Sequence, residues 1–476
     1  MSQIKTIFKN MSWIFISQIV ASICGFIWTI LIARYLGVND YGVLGFAISF
    51  TGLMFITMDF GINTHVVRSI ATDYDSAPKY LGNAIPLKSI FSISTFTLAT
   101  IILIFMGCDE TTIIVTLLFT FESVLKTMCG AINGVFMAFE EGKYQGIENL
   151  ILNITLLIFI LIAIFCDFGL LGITIAYVLA NAITLIYVYY VLRKNIVKPK
   201  FELDLSFCKT ITLAAIPFAL TGLFYSVYYS IDVVMLTSLV GDYATGIYNA
   251  TYKLISVLTL FYGIYSAVIY PVMSKLFKND KKLLLISYEK SIKYMMLVMI
   301  PLAVATMFYS SDIIYLIYGH EYDAASSPLS ILIWTVCLIF ICGAGNTLLN
   351  ASHKEVTVTK IYAAAALFNI LLNLIMIPHF SYNGAAISTV LSDLLILIIQ
   401  SYVIYKLGHK PNKKLYIDLI KIIIGSIILG IILHILNLNI WIAIPVGIII
   451  YLATTILLRL FDDGDKYVIK EILNIK

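Results

Sequence analysis

With 476 residues, 61% of them hydrophobic and 12% charged, the chain has a mean hydropathy of +0.97. No solvated globular domain presents such a composition to water, so a soluble protein is excluded and an integral membrane protein expected. The formal net charge of +4 is too small and too dispersed to point to nucleic-acid binding.

The unit to count is the apolar span of about 20 residues, which crosses roughly 30 Å of hydrocarbon. Fourteen are predicted, at residues 11–33, 43–62, 83–106, 112–137, 148–166, 170–192, 210–232, 245–270, 292–310, 326–350, 359–378, 384–406, 418–437 and 440–460. The first is too long, and wrongly flanked, for a cleaved signal peptide and is expected to stay in the membrane.

Positive charges near helix ends resist translocation. With the amino terminus on the cytoplasmic side, the inner segments carry 27 of the 31 Lys and Arg, and the opposite side holds Arg34 alone. The outer loops instead carry Asp40, Asp109, Glu110, Asp167, Asp242, Asp312, Glu321 and Asp323. An odd number of crossings would scramble this alternation, so both termini are expected in the cytoplasm of a cell whose plasma membrane holds the protein. The seven cysteines are scattered singly, and the six histidines show no ligand spacing, so neither a metal site nor a disulfide framework is expected.

Three segments recur in order. LGVNDYGVLGFA at 36–47 matches VGDYATGIYNAT at 240–251, GAIN at 130–133 matches GAGN at 343–346, and GITIAYVLAN from Gly172 matches GAAISTVLSD from Gly384. The offsets of 204, 213 and 212 residues are nearly constant, which is the signature of an internal duplication. It predicts an all-α membrane protein of about fourteen helices. Residues 1–192 would be an amino-terminal six-helix lobe, 193–209 a basic cytoplasmic linker and 210–406 a second six-helix lobe. Two further helices would lie within 418–460, before a cytoplasmic tail, 461–476. Because six is even, the lobes would be related by an axis along the membrane normal, as in transporters that work by alternating access. Neither GxSxG, HExxH nor a Walker motif is present, so no catalytic chemistry, ATP use or cofactor is expected.

Three stretches carry a resemblance: ILIARYLGVNDYGVLGFAIS, TMDFGINTHVVRSIA and YSIDVVMLTSLVGDYATGIYNATYKL. They resemble the polysaccharide transporters of the multidrug/oligosaccharidyl-lipid/polysaccharide exporter superfamily, over most of residues 1–405. The resemblance implies a MATE-like architecture. It also implies a flippase that moves a polyprenyl phosphate- or diphosphate-linked oligosaccharide from the cytoplasmic to the outer leaflet for polymer assembly. A cation-coupled multidrug exporter of the same superfamily, a membrane-embedded glycan polymerase and a non-transporting scaffold stand as alternatives. Polymerases or glycosyltransferases would then be partners, and H+ or Na+ a coupling ion.

Ionisable groups inside spans are costly and usually face a cavity or a partner. Arg34, Lys126 and Lys253 are candidates for pairing with a lipid phosphate through charge-assisted hydrogen bonds. Each has a plainer reading: Lys126 follows Glu122 by one turn, Arg34 could snorkel or pair with Asp40, and Lys253 could pack inside its helix. Gln18, Ser22, Gly25 and Thr29 form a polar stripe. Its counterparts 203 residues on are Thr221, Tyr225, Tyr228 and Asp232, either lining a hydrophilic cleft suited to sugar hydroxyls or mediating packing. Asp59, Glu122, Asp232 and Asp393 are candidates for ion coupling, although Asp59 and Asp393 read equally as helix-end groups. Asn133, Asn346, Asn369 and Asn373 read as interhelical hydrogen-bonding residues. Pro217 marks a kink, and the last two helices read equally as a lipid groove or a partner surface.

Overall fold

The computed structural model describes residues 3–199, 202–461 and 465. Among these residues every regular element is helical: α1 (Gln3–Asp59), α2 (Ile62–Thr72), α3 (Ala77–Phe105), α4 (Glu110–Ala138), α5 (Gly142–Phe165), α6 (Gly169–Asn195), α7 (Leu205–Leu239), α8 (Asp242–Asn279), α9 (Lys281–Phe308), α10 (Ser310–Tyr318), α11 (Ser326–Ala351), α12 (Glu355–Lys406), α13 (Lys413–Leu436) and α14 (Ile440–Leu457). Twelve of them are long and apolar enough to cross a membrane. Two of the twelve are double. With 57 residues α1 would be about 85 Å long if straight, far beyond one crossing, and it breaks at Gly37 (φ 70°). The 52-residue α12 breaks at Ser381 (φ 52°). The fourteen expected passages are therefore present in a multi-pass membrane protein, but in both places the expected inter-helix loop is a single left-handed residue inside a continuous helical run.

Helix starts follow local chemistry. Asp109, Asp204, Asp280, Asn412 and Asn439 each accept hydrogen bonds from first-turn amides, satisfying donors that the helix itself leaves unpaired. Prolines lie inside α3, α7, α8, α9, α12 and α14, and the carbonyl that Pro86 frees, Gly82, accepts from the Glu202 amide (3.3 Å). Helices α6, α7 and α9 also run beyond their apolar spans. The expected linker 193–209 shortens to the stretch between Asn195 and Leu205, within which residues 200 and 201 lie outside the described residues.

The chain packs as two compact units, 1–249 and 250–476. The first has a core in which Ile62, Val66 and Ile70 of α2 meet Leu81 of α3, Val135 of α4, Leu192 of α6 and Ile211 of α7. Helix α7 opens the second sequence repeat, yet it packs with the first unit, so the blocks of packing differ from the blocks of duplication. The twice-written corner explains this. Gly37 breaks α1, and Gly241 (φ 116°) makes the turn from α7 into α8. A Cβ on Gly42 would strike the carbonyl of Asp242, and one on Gly246 would strike the carbonyl of Val38. Val38 and Asp242 are repeat-equivalents, as are Gly42 and Gly246, so the contact is reciprocal, as at a two-fold interface. A Cβ on Gly45 would land on the amide of Asn249, its own equivalent.

In the second unit α11 is the most enclosed element, with Leu332, Val336, Phe340 and Leu348 buried. Polar side chains stitch it to α12. The Gln400 amide donates to the Cys342 carbonyl (3.0 Å) and to Asn346 Oδ1 (2.8 Å), and Asn346 donates to the Tyr362 hydroxyl (2.8 Å). Asn373 donates to Asn369 (3.0 Å) within α12. Helix α13 packs on α9 where Gly430 leaves room for Phe308 and Val304. At the other end of this pair Lys293 of α9 is buried between Asp418 of α13 (2.9 Å) and Asp465 (2.7 Å). Asp465 also accepts from Lys290 and Tyr294. Apart from Phe461 and Asp465, the expected tail 461–476 lies outside the described residues.

Two outcomes follow for stability. Gly246→Leu should destabilise the detergent-solubilised protein by at least about 2 kcal/mol through overpacking. Gly263→Ala, at a glycine with open space around it, should not lower the melting temperature; equal melting of the two variants would contradict the corner packing. Lys293→Met should cost roughly 3–5 kcal/mol, because it strands two buried carboxylates. A melting temperature like that of the unaltered protein would show that the pair is not held as described.

Candidate functional site

Glu122 sits in the middle of α4, 1% exposed, and is held from two sides. The Lys126 ammonium lies 2.7 Å away, one turn on, and Asn181 of α6 donates at 2.8 Å. The ion pair expected from the i,i+4 spacing is therefore present. It is lopsided, because the Lys126 side chain remains 48% exposed. An ammonium at mid-helix facing hydrocarbon would be costly, so this face of α4 is suited to a water-lined surface. Further along α4, Asn133 lies close to Glu148 of α5, a carboxylate the spacing rules did not single out.

Asp59 ends α1 and is buried. Its carboxylate accepts from Lys88 of α3 at 2.6 Å, and the Lys88 side chain is fully buried. Lys88 also donates to Asn63 of α2 and to the Thr127 carbonyl of α4 (3.2 Å). Sequence reasoning missed Lys88, although a lysine inside the span 83–106 is the very signal that picked out Lys126. Lys293 was missed because its position just inside span 292–310 reads as a loop charge.

The two polar stripes differ. On α1, Gln18 is exposed and Ser22 is half-buried, its hydroxyl donating to the Gln18 carbonyl (2.7 Å); Gly25 and Thr29 are half-buried. On α7, the Thr221 hydroxyl donates to the Pro217 carbonyl (3.0 Å). The Tyr225 and Tyr229 rings stack with centroids 6.0 Å apart, and Tyr228 meets Tyr229 edge-on at 5.3 Å. Tyr228 is 6% and Asp232 3% exposed, and Asp232 accepts from the Tyr248 hydroxyl of α8 (3.0 Å). The lower part of the α7 stripe thus serves helix packing, whereas Tyr225 is half-buried. Helix α7 also rests on the second segment of α1, where the Ser226 hydroxyl donates to the Gly52 carbonyl (2.8 Å).

Arg34 is exposed near the end of the first segment of α1, next to Tyr35. The Tyr35 hydroxyl donates to Asp167 (2.7 Å) and accepts from the Gly169 amide (2.8 Å). In the second unit, Lys253 is half-buried on α8 and Asp393 buried on α12. The structure thus pairs Glu122 with Lys126, and joins Asp59 to the unexpected Lys88. Among the groups outside the spans, Asp109 at the start of α4 feels burial that pushes its carboxyl up. Hydrogen bonds from Thr112 outweigh this and hold it below the usual carboxylate range. Among the described residues no group of His, Cys, Asp and Glu could hold a metal ion.

The second unit also contains an apolar groove of about 520 Å³ between α9, α13 and α14. Pro301 and Ala305 of α9, Leu429 and Leu433 of α13, and Ile444 and Ile448 of α14 form its walls.

Comparison with known proteins places these features in a family. Residues 7–277 match the model of a family described as polysaccharide biosynthesis protein, and residues 217–375 match the MatE model. The capsular polysaccharide biosynthesis protein CapF of Staphylococcus aureus is 26% identical over 413 residues, covering 84% of this chain and 99% of that protein. A probable low-salt glycan biosynthesis flippase of Haloferax volcanii is 23% identical over 387 residues, 80% of this chain and 79% of that one. Among solved structures, the lipid II flippase MurJ in an inward closed conformation superposes with a TM-score of 0.79 at 18% identity, covering 94% of this chain and 98% of that one. An inward-facing MATE family multidrug transporter gives 0.61 at 14% identity, covering 83% and 96%. The fold is therefore MATE-like, and the chain belongs to the polysaccharide biosynthesis protein family.

Proposed function

We propose that the protein is a flippase that moves a polyprenyl phosphate- or diphosphate-linked oligosaccharide from the cytoplasmic to the outer leaflet by alternating access, for assembly of a cell-surface polysaccharide. The observation that carries this reading is the half-exposed Lys126 ammonium in the middle of an apolar helix, with its counter-charge Glu122 buried beneath it. Such a group offers an anionic headgroup a charge-assisted contact that lipid tails cannot. Lys253 adds an intramembrane cation and Arg34 one at the end of its span, and Gln18, Ser22 and Tyr225 supply hydroxyl, amide and aromatic surfaces suited to sugars, whereas the buried Tyr228 packs between helices. The apolar groove between α9, α13 and α14 fits an isoprenoid chain, which would give the last two helices a role. Family membership and the names of the relatives, a capsular polysaccharide protein and a glycan flippase, support the same substrate class.

In this reading the repeats 1–192 and 210–406 are the lobes that alternate, joined by the basic stretch 193–209. The membrane is the cell membrane and both termini are cytoplasmic. Glu122, Asp232 and Asp393 remain the carboxylates proposed for H+ or Na+ coupling, together with Asp59. Polymerases or glycosyltransferases are the proposed partners. A cation-coupled drug exporter is the second reading, favoured by the MatE match over 217–375.

The test is charge reversal at a cation. Lys253→Glu should lower flux of a diphosphate-linked glycolipid in proteoliposomes by about tenfold or more, the scale of one lost charge-assisted contact, with insertion intact. Lys126→Gln should lower it in the same sense. Unaltered flux in both variants would remove the cations from the substrate path.

A further inference from the structure

The elbow between α1 and α2 is held by one buried ammonium. Asp59 is the last residue of α1, Phe60 (φ 49°) and Gly61 (φ 71°) both take the left-handed conformation, and α2 starts at Ile62. On one side of the elbow stands Lys88, fully buried, donating to Asp59 of α1, Asn63 of α2 and the Thr127 carbonyl of α4. A Cβ on Gly130 of α4 would come within 2.6 Å of the Asn63 amide, so Asn63 is wedged between Lys88 and α4. On the other side stands the backbone of α7. A Cβ on Gly61 would lie 2.8 Å from the Ala219 nitrogen and 2.9 Å from the Ala215 carbonyl. Pro217, which cannot donate to the helix ladder, falls between those two contacts.

The two faces of the elbow are chemically unlike. Toward α3 and α4 it is bound by an ion pair and hydrogen bonds in a dry interior, where separating the charges strands each of them. Toward α7 it offers a glycine against backbone and the Cβ of Phe218 beside a proline, a contact made by apolar packing with no charge to separate. We infer that Lys88 is a positioning residue for transport: it makes the α1–α2 elbow rigid with α3 and α4, so that movement is confined to the glycine seam against α7. The inference rests on the alternating-access reading for its role in flux, and on geometry alone for the rigidity of the elbow.

The test replaces both partners together. Lys88→Met with Asp59→Leu removes the charges while filling the space, an exchange that buried ion pairs often tolerate in folding. A reporter cysteine, Ala219→Cys, is placed on the α7 side of the seam in a background with the native cysteines replaced. The double variant should elute as a folded protein, its reporter should react with a polar thiol reagent about tenfold faster, and glycolipid flux should fall by a similar factor. Unchanged labelling would overturn the inference whatever happens to flux, because the elbow would then be held without the ammonium. Faster labelling with unchanged flux would also overturn it, since the rigidity would be irrelevant to transport. If the unaltered protein moves no glycolipid but the labelling still rises, the functional reading falls and the elbow lock stands. Should the double variant not fold, Asn63→Ala, which removes one acceptor and keeps the ion pair, is read by the same two measurements with the same outcomes.

Discussion

Hydrocarbon gives a charged side chain no solvent, so each ionisable residue inside a membrane-spanning bundle must find a counter-charge, a row of hydrogen-bond partners or water. In this protein that constraint fixes which helices touch. Lys88 joins α1, α2, α3 and α4 through Asp59, Asn63 and Thr127. Glu122 joins α4 to α6 through Asn181 while its partner Lys126 reaches out from the helix. Lys293 joins α9 to α13 and to Asp465 through two carboxylates. Apolar packing between helices in lipid gains little from the hydrophobic effect, since lipid tails are as apolar as leucine. Polar joints and close small-residue contacts therefore carry much of the specificity, and the broad exposed surfaces of Ile and Leu on α13 and α14 face outward without penalty.

The duplication has kept its scaffold and redistributed its charges. The corner glycines still pack reciprocally, and the glycine of each GxxN segment still admits a side chain from another helix, Asn63 at Gly130 and Tyr262 at Gly343. At positions 213 residues beyond Glu122 and Lys126, however, stand Thr335 and Ile339, and 212 beyond Asn181 stands Asp393.

Much of this was legible before any coordinates. The fourteen passages could be counted because a 30 Å hydrocarbon core forces long apolar runs. The corner could be found because only glycine fits where two backbones meet, so its spacing survives duplication. The Glu122–Lys126 pair followed from helical periodicity alone. Other features were hidden for equally physical reasons. The union of two passages into α1 and into α12 depends on one left-handed residue each, Gly37 and Ser381, and sequence does not distinguish that from a short loop. The partner of Asp59 lies 29 residues away on another helix, a distance that no local pattern encodes. The grouping of α7 with the first unit reflects close contacts at Gly61 and Gly222, which become visible only when the neighbours are in place.

Whether the lopsided charges and the apolar groove serve one ligand is decided by following the two leaflets directly. The purified protein would be reconstituted in liposomes with a fluorescent diphosphate-linked oligosaccharide lipid in one set and a panel of amphipathic cations in another. Protein-dependent transfer of the glycolipid between leaflets, without transport of the cations, is the result expected of the flippase. Transport of the cations with a stationary glycolipid would contradict it and assign the same fold to drug export.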